Sequence, residues 1–102
     1  MAERTIIWAE SAVRQRRKVF QYWNIRNGSK EYSRKLLSEI QYRLSVLANY
    51  PEMGKKTTFQ DTRALIIQYY TLFNTYNKDY LEVILFWDNR QNPSTLFKKM
   101  KQ

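Results

Sequence analysis

The 102-residue sequence contains no cysteine and no histidine. Disulfides, thiolate nucleophiles, Cys/His zinc sites and histidine general bases are therefore excluded. Glycine and proline number two each, too few for a disordered chain. No apolar run approaches the roughly 18 residues of a membrane span, and the N-terminus lacks the apolar core of a secretion signal. The absence of cysteine is compatible with the cytosol. Acidic residues are scarce: nine Asp and Glu face 18 Lys and Arg, a formal charge of +9. Such a field attracts polyanions such as nucleic acid, or an acidic protein, and charge alone does not choose between them. Its plainer explanation is solubility without a specific target.

Aromatic side chains are abundant, at 16% of the chain, with eight Tyr, five Phe and three Trp. They supply large buried areas per residue. The length suits one domain, residues 1–102, with a single core. The stretch that organises it is Leu81–Trp87, almost wholly apolar and rich in β-branched or aromatic types, which reads as a buried strand. Asp88-Asn89 and Asn92-Pro93 end it abruptly and leave Arg90 in a polar loop. A rigid strand emptying into a loop is a common way to present a working arginine. Alternatively Arg90 is a solvated residue paired with a neighbour such as Asp88.

Upstream, Arg4–Trp8 reads as a first strand. Glu10-Ser11 opens a helix, with the serine as cap, and Asn27-Gly28 closes it. Ala9, Ala12, Val13, Val19, Phe20 and Trp23 form its expected buried stripe. Between them Arg14, Arg16, Arg17 and Lys18 spread around the outer arc. They are a solvated face or a polyanion-binding surface, together with Lys55, Lys56, Lys98 and Lys99. Ser29 caps a second helix running to Asn49, whose stripe is Leu36, Leu37, Ile40, Leu44 and Leu47. Glu31–Lys35 and Glu39–Arg43 are acid-first i, i+4 pairs. Lys55–Thr62 reads as loop. Extended segments follow at Arg63–Ile67, Tyr69–Tyr76 and Tyr80–Trp87, spaced for an antiparallel meander. The tail from Ser94, with Leu96, Phe97 and Met100, supports one or two helical turns, and Lys98, Lys99 and Lys101 make it basic. The expected class is α+β in the order β-αα-βββ, a helical hairpin packed on one face of a small, mainly antiparallel sheet.

From Ile6 to Met100 this order resembles the RelE/ParE superfamily of toxins from type II toxin–antitoxin modules. The resemblance rests on the hairpin closing in Tyr50-Pro51-Glu52-Met53-Gly54-Lys55, on Thr62-Arg63-Ala64-Leu65 opening a strand, and on the last strand running into Phe86-Trp87-Asp88-Asn89-Arg90. It implies a cytoplasmic, growth-inhibiting protein, with no cofactor, metal or membrane, neutralised by a cognate antitoxin. It also implies one of two targets. ParE-like members poison DNA gyrase without a known hydrolytic site. RelE-like members cut messenger RNA on the ribosome with lysines, arginines and often a tyrosine. In the second case Arg63 and Arg90, as neighbours, are the catalytic candidates, with Lys55, Lys56 or Tyr70 assisting. However, Tyr70 stands where another catalytic arginine aligns, and Leu96 or Phe97 where the tyrosine does. The hairpin and its Pro-Glu-Met-Gly close favour gyrase. A further alternative is an inactive basic binding module. The basic surface of the first helix or tail is the expected seat of an acidic antitoxin.

Overall fold

A computed structural model describes residues 3–100, so Lys101 lies outside it. The elements in order are β1 (Thr5–Trp8), α1 (Glu10–Asn27), α2 (Glu31–Asn49), a 3-10 turn (Pro51–Met53), β2 (Lys55–Lys56), β3 (Arg63–Ile67), β4 (Tyr70–Tyr76), β5 (Tyr80–Asp88) and α3 (Pro93–Met100). The fold is α+β, and the β-αα-βββ order holds with one addition. Lys55–Lys56, expected as loop, pairs antiparallel with Arg63 and Ala64 as a short edge strand.

The sheet runs β1-β5-β4-β3-β2. Strands β3, β4 and β5 form the expected meander, and β1 returns alongside β5 in parallel, Ile6 opposite Leu81 and Trp8 opposite Val83. That placement follows from the helical hairpin, which carries the chain across one face before it can pair again. Asn77 builds the turn between β4 and β5, its Oδ1 accepting the N–H groups of Asp79 and Tyr80, each at 2.8 Å. Gln68 and Tyr69 join β3 to β4 in a two-residue turn whose first residue sits at φ 53°. Tight hairpins need a positive φ at this position, which glycine normally provides.

Each helix end has a local cause. Gly28 adopts φ 62° and closes α1, with its N–H and that of Ser29 turned back onto Ile25 and Asn24 carbonyls. This is the left-handed stop that glycine makes without steric cost. Ser29, expected as the cap of α2, lies one residue before the actual N-cap Lys30, which makes no side-chain cap bond; Ser29 Oγ instead accepts the N–H of the first helical residue, Glu31, at 3.0 Å. Ser11 does not cap α1; it lies inside the helix, and its hydroxyl donates to the Ile84 carbonyl at 3.4 Å. The Glu31–Lys35 and Glu39–Arg43 pairs form at 3.5 and 4.0 Å on exposed helix surface, where each contributes little.

Leu36, Ile40, Leu44 and Leu47 of α2, with Ala12 of α1, pack on Leu65, Ile67, Tyr70, Leu72, Leu81, Val83 and Phe86 of the sheet. Leu37 is only half-buried, as are Phe20 and Trp23, which lie at the margin of α1 against the sheet. The opposite face is covered too. Leu96 and Met100 of α3 pack with Phe59 against Ala64, Phe73, Leu85 and Trp87. The sheet therefore has helices on both faces, and β5 is apolar on both, which explains its nearly unbroken hydrophobic run. Among the described residues no helix is long and apolar enough to cross a membrane.

Ile40 is wholly buried. Ile40→Ala should cost about 2–5 kcal/mol of unfolding free energy, the range for truncating a core aliphatic that leaves a cavity. Denaturant melts of the two proteins measure it, and a cost below 1 kcal/mol would mean that this site collapses freely.

Candidate functional site

Strand β5 is interrupted once. Phe73 pairs with Leu85 but Asn74 with Val83, so Ile84 is an extra residue in β5. A bulge of this kind reverses the alternation of side chains beyond it. Before the bulge Leu81 and Val83 face the helical hairpin; beyond it Phe86 does, and Leu85 and Trp87 join the opposite cluster. Strand β1 pairs with β5 only as far as Val83, so beyond it the Phe86 N–H meets α1 instead of a strand. Gln15 of α1 accepts that N–H through Oε1 at 3.0 Å, and Ser11 bonds Ile84. The fully buried Asn74 opposite donates to its own strand's Leu72 carbonyl, and its Oδ1 has no partner among the described residues.

The reversed alternation brings Asp88 to the hairpin side, opposite Tyr70. There it accepts the Arg90 guanidinium in a two-point pair, Nε to Oδ1 at 3.0 Å and Nη2 to Oδ2 at 2.7 Å, and the Arg90 backbone N–H at 2.9 Å. Asn89 anchors the loop: its N–H donates to the Tyr69 carbonyl at 2.8 Å, and its Oδ1 accepts the Thr71 hydroxyl at 2.8 Å. Arg90 thus lies 5.0 Å from the Tyr69 ring and 5.9 Å from the Trp23 ring. Trp23 Nε1 donates to the Tyr70 hydroxyl at 2.7 Å, and the Tyr32 hydroxyl donates to Gln68. Arg90 is held from below by aromatic rings and from behind by a carboxylate.

Arg63 is elsewhere. It pairs across the sheet with Asn74, whereas Asp88 pairs with Tyr70. The two rows are four residue steps apart along β4, roughly 13 Å, with two strand spacings, roughly 10 Å, between β3 and β5. The expectation that Arg63 neighbours Arg90 is therefore overturned: they share a face but occupy opposite ends. The Arg63 guanidinium donates to the carbonyls of Gly54 (2.8 Å) and Glu52 (3.2 Å). Gly54 permits this approach, since a Cβ there would meet the Arg63 Cβ at 3.2 Å. The Pro-Glu-Met-Gly turn is thus the surface on which Arg63 rests.

The remaining cations do not form one patch. Arg14 pairs with Glu10 at 3.1 Å, and Arg16 turns inward over the Trp8 ring at 4.5 Å. Burial, and then Arg17, lowers the pKa of Arg16. Arg14 and Lys18 share with Lys99 of α3 a groove of about 390 Å³ floored by Ile84, Leu85 and Met100. Lys56 lines a separate cavity of about 530 Å³ with Arg63, Phe59 and Tyr76. Lys55, Arg17 and Lys98 are exposed. Tyr70, a possible helper in phosphate chemistry, is fully buried and bonded to Trp23. The aromatic setting of Arg90 was not anticipated, although the doublets Tyr22-Trp23 and Tyr69-Tyr70 are its visible trace.

Residues 6–93 match the family model described as the ParE toxin of a type II toxin-antitoxin system, parDE. The chain belongs to the ParE toxin family. No curated protein matches it. The toxin accordingly has a cognate antitoxin as its partner. The match takes in all of the hairpin, the meander and the Arg90 loop.

Electrostatics at the Arg90 end follow from the geometry. The guanidinium hydrogen bond holds the Asp88 carboxyl below the usual carboxylate range, outweighing partial burial. Asp88 in turn raises the pKa of Arg90. Burial pushes the Tyr70 phenol up, opposed by the N–H of Trp23, and burial likewise raises Tyr32. No group of acidic residues suited to a metal occurs among the described residues.

Because Asp88 titrates lower in the folded toxin than unfolded, its pair stabilises the fold above the unfolded carboxylate value of about 3.9. That contribution is lost as pH falls through the lower, folded value. In Arg90→Ala the Asp88 carboxyl midpoint, followed by NMR, should rise toward the ordinary range. An unmoved midpoint would show that the pair does not form in solution. Gln15→Ala leaves the Phe86 N–H without its acceptor and should cost about 1–3 kcal/mol. The Phe86 amide should then exchange faster with solvent; unchanged exchange would mean that the bulge closes without Gln15.

Proposed function

We propose that the chain is a growth-inhibiting toxin, folded as one domain and acting in the cytoplasm, that blocks DNA gyrase without hydrolysing its target. The observation that carries this reading is the separation and prior engagement of the two arginines. A nuclease without histidine needs cations converging on one phosphate to neutralise charge developing in the transition state. Here Arg63 is committed to the turn carbonyls and Arg90 to Asp88, at opposite ends of the sheet. The Arg90 fork is closed on Asp88, and Arg63 gives its Nη1 to two carbonyls; guanidinium groups engaged in this way serve structure and recognition better than catalysis. The cognate antitoxin, expected to be acidic, is neutralising because it covers cationic surface; the groove of Arg14, Lys18 and Lys99 suits it.

Ribosome-dependent cleavage of messenger RNA keeps one observation in its favour. Lys56 and Arg63 line the same cavity beside Tyr76, the kind of cationic and aromatic lining that holds a nucleotide. Two measurements separate the readings. Purified toxin should inhibit gyrase supercoiling, and primer extension on messenger RNA after induction should show no codon-phased cuts. Cuts that appear with the wild type and vanish in Arg63→Ala or Arg90→Ala would replace the gyrase reading with the nuclease one.

A further inference from the structure

At the Arg90 end the surface carries side chains that the core does not use. Tyr22 is 45% exposed, Tyr69 50% and Ile25 83%. Arg26 donates to the Tyr22 hydroxyl at 3.2 Å and lies 5.9 Å from the Trp23 ring. Trp23 meets Tyr22 edge-on, with centroids 5.1 Å apart. Arg90 then links Trp23 to Tyr69. Three separate elements, the end of α1, the β3–β4 turn and the loop after β5, so converge on one surface. Two fixed points stiffen it. Gln68 holds a φ of 53° beneath Tyr69, a conformation uncommon outside glycine and kept where surroundings enforce it. Asn89 clamps the loop to Tyr69 through its backbone.

Flanked by Ile25, an exposed aliphatic three residues beyond Tyr22 on α1, rigid Tyr, Trp and Arg side chains make the composition of an interface centre. They bury much area while losing little rotamer freedom. The occupant follows from charge. Asp88 is taken up by Arg90, while Lys18 and Arg26 have no carboxylate partner among the described residues. The rim is therefore cationic. A second copy carries the same +9 and would oppose like charges. A nucleic acid could stack on the rings, but Ile25 offers no stacking face and the Arg90 fork is already closed on Asp88.

We infer that the surface of Tyr22, Ile25, Arg26, Tyr69 and Arg90, with Trp23 beneath, is where the toxin docks onto an apolar, acid-rimmed patch of its target protein. This rests on the reading of a protein target, and the test is chosen to separate the two. Two variants, Ile25→Asp with Tyr69→Ala, and Arg26→Glu alone, alter exposed positions, and thermal melts check that both fold. Each is compared with wild type for binding to purified gyrase, to the cognate antitoxin and to a labelled single-stranded RNA, and for growth arrest on induction.

The expected result is gyrase binding weakened about tenfold or more, as for loss of interface anchors, with antitoxin affinity unchanged and growth arrest lost. Variants that bind gyrase as the wild type does would overturn the inference. So would variants that lose the antitoxin, which would make this its groove, or an RNA affinity that only the wild type shows. If the wild type does not bind gyrase at all, the gyrase reading fails by itself, and growth arrest decides for the surface. Arrest abolished with the antitoxin still bound and no RNA affinity sustains docking on another protein; arrest retained rejects it.

Discussion

Strand β5 lies between two apolar clusters, and the single extra residue at Ile84 determines which half serves which. Before the bulge, Leu81 and Val83 seal the sheet against the helical hairpin. After it, Phe86 and Asp88 point the same way, while Leu85 and Trp87 supply the face beneath α3. Were the same sequence to run on here in regular alternation, without a bulge, Asp88 would project to the other side and Arg90 would lose the carboxylate that holds it. The bulge is itself held by α1, because Gln15 takes the Phe86 N–H that the ladder leaves free. Core packing and placement of the Arg90 loop are therefore one problem with a common solution.

The same economy appears at the other end. The Pro51–Gly54 turn ends α2, starts β2 and presents the carbonyls on which Arg63 rests. Arg4 ties this region together, donating to the Ala48 carbonyl at 3.1 Å and the Asn77 carbonyl at 2.6 Å. Its guanidinium also lies 5.3 Å from the Tyr76 ring. Arg4 and Arg63 are in good part mortar between backbone segments. Their stems cover apolar surface and their forks satisfy carbonyls that helix and turn ends leave open.

This use of arginine tempers what a charge of +9 means. Some of it is spent within the fold, some is scattered along helix and edge-strand surfaces, and only local groups remain for partners. The groove between α1 and α3 and the aromatic surface around Arg90 are neighbours along α1, with Lys18 at the edge of both. Arg14 and Lys99 belong to the groove alone and Arg26 to the aromatic surface alone, so an antitoxin and a target would share only Lys18. A field of this sign still speeds the approach of any acidic partner, and salt weakens that steering.

Local rules were enough for the elements themselves. The α2 stripe, the glycine stop at Gly28, the asparagine turn at Asn77 and the apolar run of β5 are short-range signals, written within a few residues and read from periodicity and turn chemistry. The family was legible for the same reason, since its mark is an order of elements with a turn and an arginine at fixed places. The two-residue β2 was not, because Lys55-Lys56 has no strand signal of its own and is extended only by pairing with Arg63 and Ala64. Nor was the site. A one-residue bulge leaves no trace in an unbroken apolar run such as Val83-Ile84-Leu85-Phe86-Trp87, yet it decides the face on which Asp88 emerges. The distance between Arg63 and Arg90 likewise depends on strand register, which is set by side chains packing across the sheet. Sequence thus determined the elements, their order and the family; tertiary packing alone determined which arginines meet carboxylates, carbonyls or solvent.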